Sequence, residues 1–284
     1  MPFNGDWLSA GENGERSDIA VSHVDTPRVK ATGVSLRGYG HLRNGKPLQD
    51  AHAVGVVPDS SLLVALVADG SGRYPHSHWL SEVVVRSGWR CVAETLHGAQ
   101  QLPHDVNGLV AELHELAMTQ GRRLCHYLGV GQDGHDHDSP APLSAEEIAQ
   151  QMACTLQFVL LDTETLEYLW VDVAGDGSAY WRDRKARLHV IQQGTDELGE
   201  NSWTPPLPLY RGDPLVHAGR LKAGDMLMMV TDGIGEALLN GKTPESISFS
   251  SRLQTRPSVF NIASFVSTIG LHDKDDKTLV LMTT

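Results

Sequence analysis

The stretch Leu62-Leu63-Val64-Ala65-Leu66-Val67-Ala68-Asp69-Gly70 is a continuous apolar run that ends in an Asp-Gly pair. A second stretch, Met226-Leu227-Met228-Met229-Val230-Thr231-Asp232-Gly233, has nearly the same form. Both runs are too short for helices and are bounded by turn residues, so they predict buried strands. Each strand then carries a carboxylate at its rim, and the following glycine allows the backbone to turn sharply.

Two further aspartates lie beside strand-like runs. Gln49-Asp50-Ala51 leads into one run, and Asp275-Asp276 precedes the apolar run from Thr278 to Met282. A single Asp-Gly pair after a strand is usually only a turn, which favours a structural role for each pair taken alone. Taken together, the four aspartates predict one metal site assembled from strand ends. Carboxylate oxygens without Cys or His in these motifs suit Mg²⁺ or Mn²⁺ better than Zn²⁺.

The charge balance excludes some classes of partner. The 284 residues include 23 Lys and Arg against 35 Asp and Glu, a formal net charge of -12. This charge argues against general binding to nucleic acid or to anionic membranes, so we expect neither as a partner. The three cysteines are scattered, odd in number and set among apolar residues, which favours reduced thiols. We find no secretory signal or membrane-spanning stretch and expect a cytoplasmic protein.

The remaining pattern mixes strands and helices. Apolar spacing predicts amphipathic helices over 79–92, 106–127 and 258–269. Runs rich in β-branched, aromatic and aliphatic residues over 155–161 and 166–173 predict a hairpin. Strand-rich segments interrupted by helical blocks indicate the α+β class.

Six segments, in this order, resemble the metal-dependent protein phosphatase 2C (PPM) family and are most similar to its bacterial branch. The resemblance spans the chain from about residue 33 to its end, and no single motif in it is long. The segments are Gly45-Lys46-Pro47-Leu48-Gln49-Asp50-Ala51, Val67-Ala68-Asp69-Gly70-Ser71-Gly72, Cys154-Thr155-Leu156, Ala174-Gly175-Asp176-Gly177-Ser178-Ala179-Tyr180, Gly224-Asp225-Met226-Leu227-Met228-Met229-Val230-Thr231-Asp232-Gly233-Ile234 and Asp275-Asp276-Lys277-Thr278-Leu279-Val280.

The resemblance implies a four-layer αββα sandwich, in which two antiparallel sheets are flanked by helices. It also implies a serine/threonine protein phosphatase that uses Mg²⁺ or Mn²⁺ and hydrolyses phosphomonoesters by attack of a metal-bridging hydroxide. Two ions are implied, and a third, weaker one is left open. The implied partners are a phosphorylated protein substrate and a Ser/Thr kinase or its targets, in a signalling role.

The resemblance also implies roles for individual residues. Asp69 would bridge the two ions, Asp50 would bind one of them, and Asp232 and Asp275 would bind the other. The carbonyl of Gly70 would complete the coordination. These four aspartates are therefore the predicted catalytic residues.

Other acidic residues are alternatives or additions. Asp276, and more weakly Asp273, could replace Asp275, although the spacing to the following Thr and strand favours Asp275. Asp176 and Glu236 match positions where family members hold an additional metal, but Glu236 stands where Asp is commoner. The structural alternatives for this pair are a turn-capping carboxylate and an acid at a helix N-terminus.

This chain departs from the family pattern at two positions. Gly45 stands where the family commonly has its phosphate-binding Arg. The remaining candidate phosphate contacts are Arg43, Lys46 and His41. Arg73, beside the Asp69 turn, is a fourth candidate, since a guanidinium matches phosphate oxygens. Ser71 stands where some relatives have a His proposed as proton donor. His52 or a metal-bound water would take that role, unless His52 is an ordinary polar or core residue.

The predicted domain organisation is a flexible leader over 1–25 and a single catalytic domain over 26–284. The polar, proline-rich segment 192–214 corresponds to a variable flap in the family, where Trp203 either reads a substrate or anchors the loop. Residues 129–142, with a His-Asp cluster, predict an exposed loop. Two other functions compatible with the fold are a catalytically weak, phosphopeptide-binding regulatory module and a small-molecule phosphatase.

Overall fold

The computed structural model describes residues 17–130, 142–192, 205–241, 244–253, 257–269 and 275–284. Its strands are β1 (Ile19–Asp25), β2 (Lys30–Leu36), β3 (Ala51–Val56), β4 (Leu62–Ala68), β5 (Leu156–Asp162), β6 (Glu167–Ala174), β7 (Ser178–Arg182), β8 (Leu188–Gln192), β9 (Leu215–Arg220), β10 (Met226–Val230) and β11 (Lys277–Thr283). Its helices are α1 (Tyr39–Arg43), α2 (Ser77–Thr95), α3 (Asn107–Tyr127), α4 (Ala145–Ala149), α5 (Asp232–Gly235), the 3₁₀ helix Glu236–Gly241, α6 (Pro244–Arg252) and α7 (Val259–Thr268).

The strands form two sheets in which every neighbouring pair is antiparallel. The six-stranded sheet has the order β1-β2-β11-β10-β7-β8, and the five-stranded sheet has the order β3-β4-β5-β6-β9. The two apolar runs that end in Asp-Gly are β4 and β10, and each is an interior strand of its own sheet. The predicted buried strands are therefore confirmed.

The uninterrupted hydrophobicity of β4 follows from burial of both of its faces. Leu62, Val64 and Leu66 pack in the cluster that includes residues of α2 and α3, whereas Leu63 and Val67 pack in the cluster between the sheets. Successive side chains of a strand point to opposite faces, so a strand covered by helices on one side and by a sheet on the other has no polar face.

A third apolar cluster completes the layers. It joins the outer face of the six-stranded sheet to α6 and α7, with Phe249 and Phe265 packed at a ring-centroid distance of 4.4 Å. Helices therefore cover the outer face of each sheet, and the predicted αββα sandwich is confirmed. Within the described part of the chain, no helix is long and apolar enough to cross a membrane.

The N-terminal boundary differs from the sequence-based expectation. Residues 19–25, which fall in the predicted leader, form β1 and pair along their whole length with β2. The exposed and half-buried positions of this edge strand alternate, so it lacks the apolar run that marks the interior strands. The division into a leader and one catalytic domain otherwise stays a prediction. Trp203, Asp273 and the His-Asp cluster of the segment 129–142 lie outside the described residues.

Candidate metal centre

Antiparallel pairing brings the predicted aspartates together. Ala51 at the start of β3 is paired with Ala68 at the end of β4, so Asp50 and Asp69 are neighbours across the sheet edge. In the other sheet, Val230 at the end of β10 is paired with Leu279 near the start of β11, which brings residue 232 toward residue 275. Sheet packing then brings the two edges together.

The aspartates surround a cavity of about 170 Å³. Asp69, Asp232 and Asp275 line it, whereas Asp50 is buried beside them with 1% of its surface exposed. The other lining residues are Ser71, Gly72, Thr155, Gly175, Asp176 and Pro206.

Two glycines allow the backbones at this rim to approach closely. A Cβ on Gly70 would lie 2.7 Å from the carbonyl oxygen of Gln49, and a Cβ on Gly233 would overlap the carbonyl oxygen of Asp276. Real Cβ atoms do not come this close to backbone atoms, so any other residue would force the chain segments apart. The glycines that follow Asp69 and Asp232 are therefore required by the close packing of the strand ends.

The carboxylates are crowded and poorly solvated. Burial, followed by repulsion from neighbouring carboxylates, raises the pKa of Asp50 and of Asp69 well above the ordinary value. Burial is also the main cause that raises the pKa of Asp232 to about 6, with Asp275 and Asp176 contributing repulsion. Oδ1 of Asp232 is buried and has no hydrogen-bond partner among the described residues. Negative oxygen donors in this state fit a divalent cation.

These pKa shifts predict that the metal-free protein loses stability as pH rises. An unfolded aspartate has a pKa of about 3.9, and Asp232 in the fold has a pKa of about 6. Between these values the folded state binds more protons than the unfolded state, so the free energy of unfolding should fall with increasing pH. Urea denaturation in chelator from pH 4.5 to 7 measures the slope, which saturating Mn²⁺ should reduce. Stability that rises with pH in this window would contradict the assignment.

Asp275 and Asp276 have different environments. The side chain of Asp275 is 48% exposed and reaches the cavity. Asp276 is buried, and its two carboxylate oxygens accept hydrogen bonds from the backbone N–H groups of Gly38, at 2.6 Å, and Gln49, at 2.5 Å. Asp276 therefore joins three separate chain segments beneath the site, and the ligand-like position belongs to Asp275.

We expect Asp276→Ala to lower the free energy of unfolding by about 2–3 kcal/mol, because two buried N–H groups lose their acceptors. Asp275→Ala, at the adjacent exposed side chain, should change it by less than about 0.5 kcal/mol. Urea denaturation of both variants in chelator measures the difference. Equal destabilisation by the two substitutions would show that Asp276 does not join these segments.

A sequence profile of the family described as Protein phosphatase 2C matches residues 37–267 of this chain. The chain belongs to the protein phosphatase 2C family. This membership confirms the predicted enzyme class, a protein-serine/threonine phosphatase. Comparison with curated protein sequences finds no match.

Solved structures share the fold of this phosphatase. PppA, a key regulatory component of T6SS in Pseudomonas aeruginosa, has 17% identity and a TM-score of 0.61, with 92% of this chain and 99% of that chain covered. The catalytic domain of the serine/threonine protein phosphatase PstP in complex with two manganese ions has 16% identity and a TM-score of 0.56, over 90% and 97%. RsbX in complex with magnesium has 14% identity and a TM-score of 0.53, over 93% and 99%.

The candidate phosphate-binding residues of this protein phosphatase 2C have distinct environments. Lys46 is exposed, and its Nζ donates a hydrogen bond to the carbonyl of Gly72, which lines the cavity, at 3.1 Å. His41 is buried beside Asp275 and Asp276. The side chains of Arg43 and Arg73 are exposed. Lys46 is therefore the candidate with a direct contact to the cavity wall.

The two predicted ligands of an additional ion, Asp176 and Glu236, have different positions in the phosphatase. Asp176 lines the cavity, and burial raises the pKa of its carboxyl. Glu236 is exposed and does not line the cavity. Asp172, which the sequence analysis missed, is buried on β6; burial and then repulsion from Asp176 raise its pKa to about 8. The signal in the sequence was an acidic residue in the apolar interior of this strand.

A chain of hydroxyl groups supports the buried side of the site, and the sequence analysis missed it. Thr231 Oγ1 donates to Asp50 Oδ2 at 2.8 Å and accepts from the N–H of Thr278 at 3.0 Å. Thr278 Oγ1 donates to Ser35 Oγ at 2.7 Å, and Ser35 Oγ lies 2.8 Å from His52 Nδ1. His52 lies at the far end of this chain and does not line the cavity, which is consistent with a structural polar residue.

Proposed function

We propose that this phosphatase is metal-dependent and that it hydrolyses phosphoserine or phosphothreonine in proteins at the cavity between the strand ends. The observation that carries the proposal is the convergence of carboxylates from two sheets on one cavity. Asp69, Asp232, Asp275 and Asp176 line it, Asp50 is buried beside them, and Oδ1 of Asp232 is buried without a hydrogen-bond partner among the described residues. Without a cation, such a group of ionised carboxylates destabilises the fold, because burial and mutual repulsion both oppose ionisation.

We assign the ligand roles by the chemistry of the donors. Asp69 is central, since its pKa is raised by Asp50, Asp232 and Asp275 after burial, and it is the proposed bridge between two ions. Asp50 would hold one ion, with the Gly70 carbonyl, and Asp232 and Asp275 would hold the other. Oxygen donors of this kind suit Mg²⁺ or Mn²⁺. RsbX and PstP, two proteins of the same fold, were solved with magnesium and manganese.

Divalent ions held there would supply an ionised water as nucleophile and would neutralise charge on the phosphoryl oxygens. The residues of the chain position the reacting groups. Thr231 orients the buried carboxylate of Asp50 through its hydroxyl hydrogen bond. Thr155 fixes the backbone at Asp69 through two hydrogen bonds. The N–H of Asp69 donates to Thr155 Oγ1 at 2.9 Å, and the N–H of Thr155 donates to the carbonyl of Asp69 at 2.8 Å. Rigid supports of this kind favour an in-line attack, because a misplacement of about 1 Å slows such a reaction about a hundredfold.

Lys46 is the proposed phosphate contact in place of the missing arginine. Its ammonium group is held at the wall of the cavity by the Gly72 carbonyl, and it supplies positive charge beside a cavity lined by four aspartates. Asp176 remains a proposed ligand of a third, weaker ion. Glu236 is a less favourable candidate for that ion, because it is exposed and does not line the cavity.

We expect Lys46→Gln to raise KM for a phosphopeptide by about tenfold, which corresponds to about 1.4 kcal/mol of lost phosphate binding. The fold should be unaffected, since the side chain is exposed. Arg73→Gln, at another exposed basic residue near the Asp69 turn, is the matched control. A tenfold effect of Arg73→Gln with none for Lys46→Gln would transfer the phosphate contact to Arg73.

The deciding experiment for the proposed function is hydrolysis of a phosphothreonine peptide by the full chain with Mn²⁺, Mg²⁺ or chelator, compared with a panel of phosphorylated metabolites. We expect turnover of the peptide that requires a divalent ion and exceeds turnover of the metabolites. Faster hydrolysis of a metabolite would identify a small-molecule phosphatase. Tight peptide binding at saturating Mn²⁺ without turnover would identify a regulatory phosphopeptide-binding module, which Gly45 at the arginine position would then explain.

A further inference from the structure

Gln157 is a buried amide on β5 that connects the two sheets close to the cavity. Its side chain is 2% exposed. Its Nε2 donates a hydrogen bond at 2.9 Å to the carbonyl of Val230, the last residue of β10 in the other sheet. Its Oε1 accepts a hydrogen bond at 2.9 Å from Nε1 of Trp170 on β6. The amide also packs against Gly177, where a Cβ would lie 2.5 Å from Nε2.

The two partners explain why glutamine occupies this position. The indole N–H of Trp170 can only donate and the carbonyl of Val230 can only accept, so the amide oxygen faces the first and the NH₂ group faces the second. Methionine has the same length but can satisfy neither partner, and an ionised glutamate has no donor for the carbonyl. The neighbours Leu156 and Phe158 are apolar, so a polar side chain here is an exception within β5.

The hydrogen bond joins the strands that end in Asp69 and Asp232. Within its own sheet, Gln157 pairs with Val67, which is two residues before Asp69. Across the sheets, its partner Val230 is two residues before Asp232. The amide therefore links the two strand ends directly behind the carboxylates that they carry.

The sheets themselves leave the separation of these ends open. Backbone ladders fix strands within a sheet, whereas the apolar side chains between the sheets pack without a preferred direction. The pairing of β5 with β6 also shifts register between Leu156 and Gln157, an irregularity that bends a strand locally. The next residue of the segment, Thr231, is hydrogen-bonded to Asp50, which precedes β3 of the other sheet. Two consecutive residues before Asp232 are thus each fixed to the opposite sheet by a directional bond.

We propose that Gln157 is a positioning residue of the metal centre, which sets the separation between the edge that carries Asp69 and the edge that carries Asp232. The inference rests on the proposed function, since it concerns the same metal centre. Gln157 does not line the cavity, so it acts through the backbone of Val230. Loss of its hydrogen bond should therefore weaken the binding of an ion between the two edges and leave peptide binding unchanged.

Calorimetric titration of the full chain with Mn²⁺ tests the proposal on Gln157→Met, a substitution of similar length without a donor or acceptor for these partners. We expect the affinity for Mn²⁺ to fall by about tenfold or more, a typical effect of losing a residue that supports metal ligands. At saturating Mn²⁺, kcat on a phosphothreonine peptide should fall by about tenfold or more, while KM stays within about twofold.

Val159→Ala is the matched control. Val159 lies on the same strand and the same face, two residues further from the cavity, and is fully buried between the sheets. Both substitutions should lower the urea midpoint in chelator, since Val159→Ala removes buried methyl groups. Only Gln157→Met should lower the affinity for Mn²⁺. An equal loss of affinity in Val159→Ala would show that general loosening of the interior is the cause, and would overturn the inference.

Other outcomes separate the inference from the proposed function. Unchanged Mn²⁺ affinity in Gln157→Met would overturn the inference and leave the proposed function standing. Failure of the unaltered protein to bind Mn²⁺ would overturn both. Should Gln157→Met not fold, Trp170→Phe is titrated in its place, because it removes only the donor that orients the amide. Mn²⁺ affinity equal to that of the unaltered protein would then overturn the inference.

Discussion

Asp232→Asn is expected to lower kcat on a phosphothreonine peptide by about three orders of magnitude, because it removes a charged ligand from the centre that stabilises the developing charge. The same substitution should leave the metal-free protein as stable as the unaltered chain, or more stable, at pH 7. The carboxylate of Asp232 is buried, has one oxygen without a hydrogen-bond partner in the part of the chain that the structure describes, and is repelled by neighbouring carboxylates. A neutral amide of the same shape relieves that repulsion.

Steady-state kinetics with Mn²⁺, together with thermal unfolding in chelator, measure both effects. Asp59→Asn is the matched control, since Asp59 is an exposed turn aspartate whose side chain is 81% exposed and whose φ is 55°. It should change neither quantity. Loss of activity accompanied by a large loss of stability in Asp232→Asn would indicate a structural carboxylate instead of a metal ligand.

Gly233→Ala is expected to lower the free energy of unfolding by about 2–3 kcal/mol, because its Cβ would overlap the backbone carbonyl of Asp276. The overlap can be relieved only by moving the end of β10 away from the start of β11. Since those two segments carry Asp232 and Asp275, we also expect kcat to fall by about a hundredfold, the typical effect of misplacing catalytic groups by about 1 Å.

Urea denaturation and steady-state kinetics of Gly233→Ala test these expectations. Gly108→Ala is the control, because a Cβ at Gly108, in the first turn of α3, meets no atom within 4 Å. That substitution should be neutral or slightly stabilising, since alanine is favoured over glycine in helices. An active, stable Gly233→Ala protein would show that the rim tolerates separation of these strands.

Several parts of the fold could be predicted because their signals are local. The apolar runs that became β4, β10 and β11 are buried on both faces, so their composition identifies them directly. The edge strands β1 and β9 were not predicted. They are mostly exposed or half-buried, and strands without a buried face lack the pattern that distinguishes a strand from a loop.

The choice between Asp275 and Asp276 illustrates a second limit. The two residues are adjacent and chemically identical, and spacing alone favoured Asp275. Burial separates them, since Asp276 accepts hydrogen bonds from Gly38 and Gln49, each more than 220 positions away in the chain. Similarly, the contact of Lys46 with Gly72 depends on how two loops meet at the cavity.

By itself the sequence determined the class of the protein, the interior strands β4, β5, β6, β10 and β11, and the four aspartates near strand ends, because alternation, burial and turn chemistry are properties of short segments. The interior strand β2 was not predicted, although it is buried. The tertiary structure alone decided which groups support those aspartates. The hydroxyl chain from Thr231 to Ser35 and the position of His41 between two carboxylates join residues from different strands and loops. Such contacts depend on strand order and register, which arise from the packing of the two sheets rather than from any local pattern.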